Sequence, residues 1–175
     1  MREPLTAADR AAVTAQLHRS PRGVAAVAFR CPCGNPSVVA TEPRLDDGSP
    51  FPTTYYLTCP RATSACSTLE SQGVMVEMSQ RLAADPELAA GYQRAHEAYL
   101  ADRDAMGHVP EIAGVSAGGM PTRVKCLHAL AGHALAAGPG VNPLGDETLA
   151  RIGAFWAHPC LSDPDLPATD VEDER

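Results

Sequence analysis

Six cysteines and six histidines supply the side chains in this 175-residue chain that can ligate a soft metal or serve as nucleophile and base. Cys31 and Cys33 stand two apart in Cys31–Pro32–Cys33–Gly34, where a sharp turn lets both sulfurs face one side. That spacing is one residue shorter than the usual zinc knuckle. Cys59 precedes Pro60 at the start of a predicted helix, and the free N–H groups there favour a thiolate. Cys126 and His128 lie in the run Arg123–Val124–Lys125–Cys126–Leu127–His128, with His133 further along. Cys126 and His133 share a helical face but are separated by about 10.5 Å of rise. Metal bonds of about 2.3 Å to sulfur and about 2.1 Å to nitrogen do not span that gap on a continuous helix. The candidate ligand set is therefore Cys31, Cys33, Cys59 and Cys126 with one of His128 and His133.

Three readings of this set stand side by side. Thiolates and imidazole suit zinc, or alternatively an iron–sulfur cluster, better than calcium or magnesium. Without metal, Cys59 or Cys126 can act as nucleophile, with His128 or His133 as base. Each residue taken alone also fits packing, since a free cysteine behaves as a small hydrophobe. Cys66 reads as packing, His158 and Cys160 stand beside an acidic tail, and Glu97 next to His96 reads as a solvated helix residue.

A second constellation is the loop from Ser116 through Gly118 and Gly119 to Pro121. It leads into a predicted helix bearing Arg123 and Lys125, the chain's single lysine. Backbone N–H groups at a helix start with two cations close by form a candidate anion site, and a plain loop before a helix is the alternative. No phosphate-loop motif, H-E-x-x-H pair or dinucleotide fingerprint is present.

The elements that must position these groups follow from local signals. Thr6 is placed to cap a helix over 7–18, and strands are predicted over 23–30, 37–41 and 53–58, the last from Thr53–Thr54–Tyr55–Tyr56–Leu57–Thr58. Helices are predicted over 60–72, 74–84, 86–106, 121–137 and, capped by Asp146, 146–156. Strands early and helices late give an α+β fold, a small antiparallel sheet from the N-terminal third packed against C-terminal helices. One globular domain over 1–161 and a disordered acidic tail over 162–175 are expected.

Net charge is −7, and the tail's six acidic residues against Arg175 account for −5 of it. The remainder lacks the basic excess of a nucleic-acid binder. Nothing approaches the apolar length of a membrane span, and the N-terminus is not a signal peptide. A cytoplasmic protein with reduced thiols is the expectation.

The stretches Arg30–Val39, Pro43–Pro60 and Ser116–Leu130, with His133 and the loop beginning Gly138–Pro139–Gly140, resemble a bacterial, mainly actinobacterial, family called domain of unknown function 501. The resemblance covers roughly residues 21–156. It implies a cytoplasmic protein and carries Cys31, Cys59, Cys126, His128 and His133 as site positions, but supplies no activity. Genes of that family often neighbour those of a septum-formation initiator and an exopolyphosphatase. A link to cell-division or polyphosphate proteins, and an interaction-module role, are therefore further expectations of the resemblance.

Overall fold

In a computed structural model the described residues are 2–161, so the expected tail over 162–175 lies outside them. Four strands, β1 (Glu3–Pro4), β2 (Val24–Arg30), β3 (Pro36–Thr41) and β4 (Tyr55–Leu57), form one antiparallel sheet in the order β1-β2-β3-β4. Val27 pairs with Val39 and Val39 with Tyr56, which sets the register of the three longer strands. All of β3 is buried. Because successive side chains of a strand point to opposite faces, both sides of β3 must be covered.

The α+β expectation holds, with six α-helices joining the sheet. Thr6 caps α1 (Ala7–Leu17) through a reciprocal capping box with Asp9. That arrangement satisfies two N–H groups that a helix start otherwise leaves unpaired. Pro60 opens α2 (Pro60–Ser71), and Gly73, at a left-handed φ of 83°, turns the chain into α3 (Val74–Ala84). The Asp85 carboxylate accepts the Glu87 and Leu88 N–H groups to start α4 (Pro86–Asp104). Tyr92, His96 and Tyr99 are buried along one stripe of α4, as their spacing predicts.

Two helix starts differ from expectation. The segment predicted as a helix from Pro121 stays irregular until α5 (Leu127–Ala137). Its amides are spent on a turn, with Arg123 N–H donating to Gly119 O at 3.1 Å and Lys125 N–H to Gly118 O at 2.7 Å. Gly119 has φ +91°, and a Cβ there would stand 2.7 Å from Arg123 O, so this turn requires glycine. Tyr92 Oη and Ser79 Oγ then hold residues 123 and 124 against α4 and α3. The last helix, α6 (Pro143–Ile152), is capped by Asn142 rather than Asp146, and ends at Gly153. Residues Phe155–Ala157 form a separate 3-10 turn instead of its continuation.

At the centre, α5 packs against β4, α2 and α6. Leu127, Leu130, Ala131 and Ala134 are buried there. The contact with β4 carries the sheet to the helical layer, and the contact with α2 brings the start of α5 onto that helix.

Candidate functional site

The structure divides the predicted ligand set among three places. The first lies where the start of α5 meets α2. Cys126 is the extended N-cap residue of α5, with φ −156° and ψ 113°. Its sulfur reaches to 3.8 Å from His128 Nδ1 because the backbone turns between them instead of continuing a helix. Glu70, near the end of α2, completes the group: its Oε1 accepts the Leu127 N–H at 2.7 Å and lies 3.0 Å from His128 Nδ1. Among the described residues, Glu70, Cys126 and His128 are the one group of three or more Cys, His, Asp or Glu whose ligating atoms lie within 4.8 Å of one another. All three are half-buried.

The hydrogen bonds around His128 define its chemistry. Nε2 faces the Thr63 carbonyl at 3.1 Å and Ser67 Oγ at 3.3 Å. A carbonyl only accepts, so Nε2 carries a proton. In a neutral ring Nδ1 is then a lone pair, and it looks at a carboxylate and a sulfur that are also electron donors. A proton on Nδ1, the Cys126 S–H pointed at it, or a metal ion between the three atoms each satisfies this arrangement. Cys126 first, then the charge of Glu70, raises the His128 pKa to about 9 against the opposing effect of burial. Beneath, buried Cys66 belongs to packing as expected; burial, then Glu70 and Cys126, pushes its thiol up to about 12.

A second cluster gathers Cys31, Cys33, Cys59 and Cys160. Cys31 directly follows β2, where Gly34 N–H donates back to Cys31 O at 2.9 Å and closes the turn that carries Cys33. Cys33 Sγ lies 3.6 Å from Cys160 Sγ, and Gln16 of α1 donates to Cys160 Sγ at 3.4 Å. Cys59, wholly buried, occupies the N-cap of α2. The Cys160 thiol, with the Ala62 and Arg61 N–H groups at the helix start, brings Cys59 down to about 7 in spite of burial. The neighbouring Cys59 raises the Cys160 thiol in turn, with burial adding to the rise.

His133 occupies the third place. It is fully buried, stacked on Tyr55 and edge-on to Tyr99, and its Nδ1 lies 3.2 Å from Asn142 Nδ2. Burial lowers its pKa to about 4. No hydrogen bond joins it to a cysteine among the described residues, which removes it as partner to Cys59 or Cys126. His96 is buried on the inner stripe of α4, as its spacing predicts, with Nδ1 2.8 Å from Ser116 Oγ, while Glu97 beside it is exposed.

A family model described as a protein of unknown function (DUF501) matches residues 27–150. The chain belongs to this family. No curated protein and no solved structure matches it in the corresponding comparisons. The DUF501 match takes in Cys31, Cys33, Cys59, Glu70, Cys126, His128 and His133, and stops short of Cys160.

Gly118, Gly119, Arg123 and Lys125, expected as an anion site, do line one open pocket of about 490 Å³ with Ser116 and Thr122. The helix start that was to supply its N–H groups is absent there, since α5 begins at Leu127 and the Arg123 and Lys125 amides are already bonded. What this DUF501 chain keeps is two cationic side chains over a glycine turn. Glu70 escapes the sequence reading, standing in a polar stretch of α2 with no spacing that ties it to His128, whereas Cys160 is read there with His158 as a candidate metal pair and set aside for its place beside the acidic end.

Proposed function

We propose that this DUF501 protein binds a divalent transition metal, zinc foremost, through Glu70, Cys126 and His128. The observation that carries the reading is the convergence of three electron-donor atoms on one point while His128 Nε2 is already committed to the Thr63 carbonyl. A metal-bound imidazole characteristically donates its other ring N–H to a carbonyl or carboxylate, which fixes the tautomer and aims the ligating nitrogen. The Leu127 N–H bond does the same for the Glu70 carboxylate. One sulfur, one nitrogen and one oxygen suit zinc, whereas iron–sulfur clusters are held chiefly by four thiolates. Three protein ligands leave a fourth position for solvent or a small molecule, the pattern of a reactive rather than a purely structural zinc site.

Metal analysis of the freshly purified chain tests this directly. One zinc per chain, lost in Cys126→Ser and His128→Ala, supports the proposal, as does thiolate-to-metal charge-transfer absorption on replacing zinc by cobalt. Metal-free protein that also fails to take up cobalt overturns it.

The 3.8 Å approach of Cys126 to His128 favours one second reading, a metal-free thiolate–imidazolium pair with Cys126 as nucleophile. In that case Cys126 alkylates rapidly at neutral pH, His128→Ala slows it, and zinc leaves the rate unchanged.

A further inference from the structure

The thiols around Cys160 have no part in the zinc site, and they meet from three distant segments. The turn after β2 brings Cys33, the start of α2 brings Cys59, and the chain beyond α6 brings Cys160. Gln16 binds both the Pro36 carbonyl at 2.8 Å and Cys160 Sγ, so α1 braces the contact between the turn and Cys160. Cys33 is half-buried, and Asn35 Nδ2 stands 3.8 Å from its sulfur. Cys59 and Cys160 are buried.

We infer that Cys33 and Cys160 form a redox-active dithiol that exchanges with low-molecular-weight disulfides and closes into an intramolecular disulfide. The geometry supplies each part. An Sγ–Sγ separation of 3.6 Å is a van der Waals contact, the closest approach two sulfurs make before forming a bond of roughly 2.05 Å. No three sulfurs of this cluster lie within 4.8 Å of one another, so a pair reaction fits them better than a shared metal.

In the first step the Cys33 thiolate attacks the incoming disulfide RSSR, forming Cys33–S–S–R and releasing RS⁻, which takes up the Cys33 proton. In the second, the Cys160 sulfur attacks the Cys33 sulfur and breaks the mixed S–S bond. The Cys160 proton passes to the second RS⁻. Two protein thiols are oxidised, one RSSR is reduced, and two RSH leave. The reaction ties together residues 127 positions apart.

The test uses the full chain, stripped of metal and equilibrated with graded ratios of oxidised to reduced small-molecule dithiol. The expected product has lost two hydrogens by intact mass, yields one cross-linked peptide pair joining Cys33 to Cys160, and melts at higher temperature than the reduced chain. Cys33→Ser abolishes the product, and Cys31→Ser retains it. Three results would overturn the inference: unchanged mass at every ratio, a bond mapped to Cys31–Cys33, or one metal ion per chain retained by a Cys126→Ser, His128→Ala double variant and shielding these thiols. The last would mark a four-thiol metal centre. Because the double variant removes the proposed zinc ligands, failure of one site is read separately from failure of the other.

Discussion

His133 lies flat on Tyr55, their ring centroids 5.8 Å apart and their planes 9° from parallel, with no solvent reaching the imidazole. Tyr99 closes the other side edge-on, and Asn142 Nδ2 meets Nδ1. The folded protein therefore holds this histidine neutral, and its pKa falls to about 4 through burial. An unfolded chain protonates it near pH 6.5. Between those values the unfolded state binds more protons, so stability falls as the pH drops from about 6.5 toward 4.

The contribution lost over that window is on the order of 3 kcal/mol, at about 1.36 kcal/mol per unit of pKa difference. Urea denaturation at a series of pH values should show that slope. His133→Asn should flatten it while lowering stability at pH 7.5. An unchanged slope in the variant would assign the pH dependence to other groups.

Asp9 gives the opposite case, an acid whose charged form the fold favours. Its carboxylate closes the capping box on Thr6 and pairs with Arg30 at 2.7 Å. Arg30 foremost, with Thr6 helping, holds its pKa down to about 2 against burial. This contribution is fully present above pH 4 and disappears as the pH falls through about 2. Asp9→Ala should cost about 1–2 kcal/mol at neutral pH, read as a lowered denaturation midpoint with unchanged denaturant sensitivity.

Metal removal should be visible in stability as well as in composition. A ligand held only by the folded state stabilises it by about 2.7 kcal/mol at a hundred times its Kd. Zinc at that excess should raise the melting temperature of the wild-type chain, and a chelator should reverse the rise. Glu70→Gln keeps the shape and loses the charge, so its zinc affinity should drop by about tenfold or more. An equal thermal shift in Glu70→Gln and wild type would place the bound ion elsewhere.

Gly145 reports on the packing that holds α5 in position. A Cβ at this residue would stand 2.5 Å from Leu130 O and 2.8 Å from Ala134 Cβ, both on α5. Gly145→Ala must therefore push α6 off α5, at a cost of about 1–3 kcal/mol. Near-neutral stability of that variant would show that the two helices separate easily.

Short-range chemistry was written plainly in the chain. Thr6, Pro60, Gly73 and the Asp85–Pro86 pair marked the starts and breaks of α1 through α4, because caps and φ restrictions act within a few residues. Cys126 and His128 were legible as candidates two residues apart, but the choice between His128 and His133 was not, because it depended on where α5 begins.

Pro121 misled the reading of α5, since the same residue suits a helix start and a turn. The choice went to the turn when Gly118 and Gly119 carbonyls captured the amides that a helix would have used. Asn142 likewise displaced Asp146 as the cap of α6, because Pro143 provided a better first helical residue.

Tertiary packing alone decided which cysteines meet. Sequence separation is 58 between Glu70 and His128 and 127 between Cys33 and Cys160. Neither distance leaves a local signal, because each pair meets only through how α2 lies on α5 and how the chain beyond α6 returns to the β2–β3 turn. The buried apolar face of α5 sets the first of these arrangements, and hydrophobic burial is non-directional. The sequence determined which side chains were capable of chemistry and where the chain would turn. Only the packed core determined that Cys126 would face Glu70 and Cys33 would face Cys160.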